Sequence, residues 1–291
     1  MPALHAHRYG KNRVLVGVLD RAASPHRYLE LAVDVALEGD FGETYTRGDN
    51  TRVVPTDTLK NTVYWIAGRE PFATIEELAL LLARHLVATY PQVDRAEVVV
   101  EQRGWRPIAI EGEERIDAFE RAGEERATAC ATVEADGRAR LTAGLRGLEL
   151  LKTAHSGFRD FFRDARTTLQ DTDDRLFVTV VEATWLYAVA GEESARPDWE
   201  AARGIVRGAL LRAFADHESL SVQQTLYAMA EAALDASPLV QEVHLVLPNR
   251  HHLLADLSRF GLDNSNVVFV PTSEPFGRIE ATGGRDSGGG E

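Results

Sequence analysis

The sequence predicts an α+β protein of two tandem ββααββ units, each an antiparallel sheet with helices on one face. Three observations lead there. Residues 29–37 alternate strictly, with Leu29, Leu31, Val33, Val35 and Leu37 apolar and Glu30 and Asp34 charged between them. Successive strand side chains point to opposite faces, so this period of two marks a strand with one wet face. Two helical patterns follow, then two extended ones, which completes strand–strand–helix–helix–strand–strand by residue 136. The same order recurs from residue 137, weakly in residues but clearly in layout. The expected organisation is a loose tail at 1–9, one unit at 10–136, a second at 137–278 and a disordered, glycine-rich tail at 279–291.

Along the first unit, the β-branched run at 14–19 reads as a strand that pairs with 29–37. Pro55 then stops an extended run, and Thr56 and Asp57 are favoured helix N-caps. Leu59, Val63 and Ile66 recur at helical spacing behind them. Thr74-Ile-Glu-Glu77 is a capping box that opens a second helix with Leu78, Leu81, Leu82 and Leu86 on its buried stripe. Strands are expected at 96–101 and 116–134, and Asp136-Gly137 is a hairpin turn signal. In the second unit, strands are expected at 138–151 and 176–187. A helix at 198–216 should bury Ile205, Ala209 and Leu210. Ser221-Val-Gln-Gln224 is a second capping box, and 243–247 and 267–270 read as closing strands. The 152–174 linker is long for a compact domain, with a short helical centre, and such loops are often functional.

The 291 residues are 44% hydrophobic and 26% charged, enough for a sizeable core. A net charge of −13 argues against a nucleic-acid or anionic-membrane partner, since either needs a basic face. It leaves room for a small anion held by a few local donors. The single cysteine, Cys130, allows no intramolecular disulfide and no cysteine-based metal site, and reads as a buried small hydrophobe. Without a membrane-length apolar run, a signal-peptide core or a Ser-Lys-Leu terminus, the chain reads as a cytoplasmic protein.

Five segments could carry chemistry. Lys11 precedes the first strand and alone reads as a solvated lysine. Thr56-Asp57 sits where strand turns to helix, a place with free N–H groups for an anion or simply a plain cap. Phe158 and Arg175 bracket the linker. Phe158 is by default a core aromatic and otherwise a stacking platform for a flat ring. Arg175 is by default a surface residue, yet its planar fork suits a flat anion. Val222 and Gln223 open a helix, where backbone donors and an amide can read the edge of a heterocycle or merely face water. Asn249 and His251 follow a strand that ends at Pro248, and His252 beside them is assigned a structural role.

These segments share uncommon words: Tyr-Gly-Lys-Asn at 9–12, Thr-Asp-Thr-Leu-Lys-Asn at 56–61 and Leu-Leu-Lys-Thr…Ser-Gly-Phe at 150–158. Thr-Thr-Leu at 167–169, Asp-Asp-Arg at 173–175, Ser-Val-Gln-Gln-Thr at 221–225 and Leu-Pro-Asn-Arg-His at 247–251 follow. Together they resemble the urate oxidase family from about Tyr9 to Gly277. Ala165-Arg166 departs from it, standing where an aromatic before Thr-Thr-Leu is common. The resemblance implies two tunnelling-fold units per chain and a homotetramer with sites at subunit interfaces. It implies urate and O2 as partners, with no metal and no cofactor. Phe158 would stack on the purine, and Arg175, Gln223 and the Val222 N–H would hold its edge. Thr56 and Asp57 would reach in from a neighbouring chain. Thr56 and Asn249 would hold O2 or water, and Lys11, Thr56 and His251 would relay protons. The alternatives are another tunnelling-fold heterocycle enzyme, such as a pterin cyclohydrolase or aldolase, and a purine-binding protein without catalysis.

Overall fold

The computed structural model of the chain describes residues 3–188 and 197–285. It separates into two compact units, Met1–Leu145 with Leu186–Glu200, and Arg146–Trp185 with Ala201–Glu291.

The first unit runs β1 (Tyr9–Asp20), β2 (Arg27–Gly39), α1 (Gly42–Arg47), α2 (Thr56–Arg69), α3 (Ile75–Thr89), β3 (Val93–Ile110) and β4 (Glu113–Glu134). The strands lie in the order β1-β2-β3-β4, antiparallel throughout. The alternation at 29–37 buries as expected, with Leu31, Val33, Val35 and Leu37 facing the same side as their partners Gln102, Val100, Val98 and Ala96. α3 packs Leu78, Leu82 and Leu86 onto this sheet, and α2 buries Leu59, Val63 and Ile66. Each fully buried leucine contributes about 1.5–3 kcal/mol over an exposed one. The Thr74 hydroxyl accepts from the Glu77 N–H as the capping box requires, while the Glu77 carboxylate reaches back to the Ala73 N–H.

Several expectations need correction here. The segment before β1 is tied down, because His7 lies 5.1 Å from Tyr45 and Arg8 pairs with Glu97. β1 starts at Tyr9 rather than residue 14. Gly10 permits that early pairing, since a Cβ there would stand 1.8 Å from the Val35 carbonyl oxygen. β3 continues to Ile110, well beyond Glu101, because charged and aromatic pairs such as Arg106–Glu120 and Trp105–Arg121 hold its outer half against β4. Cys130 is only half-buried, because Ala129 and Ala131 take the covered face of β4 and Cys130 takes the other. Its thiol is still pushed up to about 11, chiefly by burial and then by Glu97, so it is not a thiolate at neutral pH.

The turn at Asp136-Gly137 opens β5 (Ala139–Lys152), with Gly137 at φ 86 and the Asp136 carboxylate accepting from the Arg138 N–H. The second unit adds β6 (Phe177–Tyr187), α4 (Trp199–Asp216), α5 (Val222–Ala236), β7 (Val240–Asn249), a small β8–β9 ribbon (His252–Leu254 with Phe269–Pro271) and β10 (Gly277–Gly284). Strand order is β5-β6-β7-β10. Phe177, Val181 and Trp185 of β6, Val206 and Leu210 of α4, and Met229 and Ala233 of α5 form its core.

Ile205 is not on the buried side of α4. It is 47% exposed, and Val206 takes the core position. The run at 267–270 does not close the main sheet either, because it pairs with β8. The closing strand is β10, from a segment whose glycine content reads as a disordered tail. Its order comes from outside itself. β7 supplies a ladder from Asn249↔Gly277 to Glu242↔Gly284, and Arg285 donates to the carbonyls of Ser237, the C-cap of α5, and of Val240 at the start of β7. The remainder of that expected tail, 286–291, lies outside the described residues. No helix among the described residues is long and apolar enough to cross a membrane.

Lys152 ends β5 buried, with its ammonium donating to the Phe214 and Ala215 carbonyls at 3.1 and 2.8 Å. These are orphan acceptors in the last turn of α4. Replacing Lys152 with Met keeps the stem and leaves both carbonyls unpaired, a loss of about 2 kcal/mol and several degrees in Tm. A thermal melt matching the parent's would contradict this capping role.

Candidate active site

In the first unit, Tyr9, Lys11, Thr56 and Asp57 are brought to one place. The Tyr9 hydroxyl accepts from the Val54 N–H at 2.9 Å and donates to the Val54 carbonyl at 3.2 Å. This fixes β1 to the turn that starts α2. Lys11 follows Tyr9 by two residues, just before a bulge between Lys11 and Val14 where Arg13 takes φ 54. Pro55, not Thr56 or Asp57, occupies the cap position, so Thr56 and Asp57 are the first helical residues and neither side chain caps. The missing proline N–H and its fixed φ explain the shift, because Pro ahead of the first turn already sets the helix direction. Thr56 and Asp57 are exposed, and their N–H groups belong to the unpaired first turn. The Asp57 carboxylate is held below its usual range, first by the Lys60 ammonium that donates to it, then by Asn61 and the charge of Lys11.

In the second unit the long linker is organised by backbone bonds and has no helical centre. Phe158 and Thr172 exchange N–H donors, at 2.7 and 3.0 Å. The Ser219 N–H donates to the His155 carbonyl, the Gly157 N–H to the Ser219 carbonyl, and the Arg175 N–H to the Ser156 carbonyl. The start of the linker is thus sewn to the chain that leads into α5, and its far end is sewn to its start. Gly157 is needed at this crossing, because a Cβ would sit 3.0 Å from the Thr172 carbonyl oxygen. Ion pairs Arg159–Asp173 and Arg163–Asp171 brace the outside, and being exposed they add little energy.

The seam places Phe158, Arg175 and the first turn of α5 side by side. The Arg175 guanidinium carbon lies 5.5 Å from the centre of the Phe158 ring and 5.8 Å from that of Phe177. Its Nε and Nη2 are buried and donate to no partner among the described residues. Those two nitrogens form one edge of the guanidinium, a two-donor fork. Burial lowers the pKa of Arg175, a sign that its charge stands short of compensation. One face of Phe158 is stacked on Phe161 at 4.9 Å and 8°. Val222 is buried and Gln223 exposed, and their N–H groups start the helix, since Ser221 caps the Gln224 N–H. The Gln224 amide carbonyl accepts from the Leu220 N–H and completes the turn.

Asn249 and His251 come off the end of β7 close to this group. The Arg250 N–H between them donates to the Val178 carbonyl of β6, three residues after Arg175. The His251 carbonyl accepts from both the N–H and the hydroxyl of Thr272, and the residue is exposed. His252 begins β8, and its buried Nδ1 has no hydrogen-bond partner among the described residues. Among the described residues no three His, Cys, Asp or Glu side chains are grouped so as to hold a metal ion.

Residues 7–132 and 141–280 match the family profile described as Uricase. The chain belongs to the uricase family. It is 40% identical over 279 residues to the uricase of Arthrobacter globiformis, covering 96% of this chain and 89% of that one. It is 39% identical to the uricase of Dictyostelium discoideum over 97% of both chains. The crystal structure of the Arthrobacter globiformis uricase superposes with a TM-score of 0.90 at 38% identity, over 100% of this chain and 98% of that one. A urate oxidase structure from Bacillus sp. TB-90 shares the fold at 22% identity, with a TM-score of 0.82. Membership confirms the family named from the motifs and favours the oxidoreductase reading over the pterin and non-catalytic alternatives.

Within this uricase-family chain, sequence reasoning passed over the residues that hold the site segments in place. Tyr9 lies inside the Tyr-Gly-Lys-Asn motif, which by itself assigns it no role. The Thr225 hydroxyl donates to the Ser219 hydroxyl at 2.8 Å, both buried, under the start of α5, and the buried Ser156 holds the linker through its backbone carbonyl. Isolated serines and threonines carry no sequence signal for this. The motif words around Ser156 and Ser221 were the only available hint.

Proposed function

We propose that the chain oxidises urate with O2 and water to 5-hydroxyisourate and hydrogen peroxide, without a metal or organic cofactor. The observation that carries this is the unpaired Nε–Nη2 fork of Arg175, beside Phe158 and the opening turn of α5, in a chain of the uricase family. The fork takes two acceptors on one edge of the flat urate anion. Gln223 and the Val222 N–H take another edge, and the ring stacks on the Phe158 face not covered by Phe161.

Thr56 and Asp57 of a neighbouring protomer complete the grip through their backbone groups, in a homotetramer with sites at subunit interfaces. Lys11, Thr56 and His251 move protons, and Thr56 and Asn249 hold O2 and later water above the ring. The urate monoanion gives up a proton to this relay, which the positive field of Arg175 and the helix start eases. The dianion passes one electron to O2, and the radical pair joins at a ring carbon. With a proton this gives 5-hydroperoxyisourate. Hydrogen peroxide leaves, water adds at the same carbon, and 5-hydroxyisourate results. O2 is the oxidant throughout and acts as co-substrate.

The test uses purified protein stripped of metals. Under air it should deplete urate absorbance, take up O2 and release hydrogen peroxide. Absence of urate turnover in aerated buffer would reject the proposal.

A further inference from the structure

We infer that Tyr9 is the positioning residue of the proton relay, its hydroxyl locking the Lys11 strand to the Thr56 turn through both backbone groups of Val54. The inference rests on the urate-oxidase reading above for the roles of Lys11 and Thr56.

The geometry is specific. A tyrosine hydroxyl has one proton to give and lone pairs to accept with. Here it uses both, accepting from the Val54 N–H and donating to the Val54 carbonyl. Val54 is 3% exposed, so its peptide has little water as an alternative partner. It precedes Pro55, whose N has no hydrogen and offers no bond of its own. The turn before Thr56 is therefore held from the side by Tyr9. The ring is itself fixed, edge-on to Phe41 at 4.8 Å, and Phe41 is buried. Tyr9 and Lys11 are two residues apart on β1 and so share one face of the strand. The Lys11 charge is felt by the Asp57 carboxylate, so it reaches the first turn of α2. A single hydroxyl thus sets the distance between the lysine and the threonine that the relay joins. Proton relays tolerate little slack, and a misplacement of about 1 Å can cost on the order of 100-fold in rate.

Tyr9→Phe removes one oxygen and keeps the ring against Phe41. In the full-length protein, kcat for urate should fall at least about ten-fold, while affinity for an unreactive azapurine stays within about three-fold. In a Lys11→Met background, adding Tyr9→Phe should cost almost nothing more, because the two act as one unit. Hydrogen exchange should speed up at the Val53 and Val54 N–H groups, which are paired with Asn50 and Tyr9, and stay unchanged in α3. Unaltered kcat overturns the inference, as does an equal loss of azapurine affinity or a full additional loss in the Lys11→Met background. The exchange arm does not depend on activity. If the parent fails to turn over urate, the functional reading fails, while unchanged exchange at Val53 and Val54 still rejects the lock by itself.

Discussion

Arg175→Met should raise the KM for urate by about 30-fold or more, corresponding to the ~2 kcal/mol or greater cost of deleting a buried charge partner. The reason lies in the ligand-free protein. Nε and Nη2 are buried, they meet no acceptor among the described residues, and burial lowers the guanidinium pKa. A buried donor without a partner costs about 1–3 kcal/mol, so this fork is a strain on the fold that an anion relieves. Methionine fills similar volume without the donors. The same substitution should therefore leave the ligand-free Tm equal to or above the parent's, the usual trade between stability and function. It should also abolish most of the rise in Tm that an azapurine gives the parent, since that rise scales with affinity. Titration of the analogue against both proteins, with melts in parallel, checks both halves. Unchanged affinity would remove Arg175 from the binding site. A lowered ligand-free Tm would mean that the guanidinium serves the fold.

Lys11→Met should lower kcat by about 100-fold or more, the usual share of a positioned acid–base group, with azapurine affinity nearly unchanged. Lys11 sits at a bulge in β1 of the first unit, and Phe158 and Arg175 belong to the second. The proposed relay gives Lys11 a proton to move and no edge of the ring to hold, so its loss should appear in turnover rather than binding. O2 uptake under saturating urate measures the first effect and calorimetry with the analogue the second. A rate within about two-fold of the parent's would exclude Lys11 from the relay.

Some of the molecule could be read from the sequence alone. The alternation at 29–37, the leucine stripe of α3 and the Thr74 and Ser221 capping boxes depend on residues close in the chain, and local sterics and hydrogen bonding decide them. The motif words identified the family for the same reason, because each is a short run. What the sequence did not determine lies where distant segments supply the missing partners. β10 is ordered by β7 and by Arg285 on α5, so its own glycines said little. The linker from 152 to 174 takes its path from backbone bonds to Ser219 and Ser156, and backbone groups look the same in every sequence. Ile205 and Val206 exchange places because helix α4's rotation is set by what it packs against. The pairing of Tyr9 with Val54 spans 45 residues. Only the tertiary structure closes that distance, and with it ties β1 to the turn before Thr56 and leaves the buried Arg175 fork unpaired among the described residues.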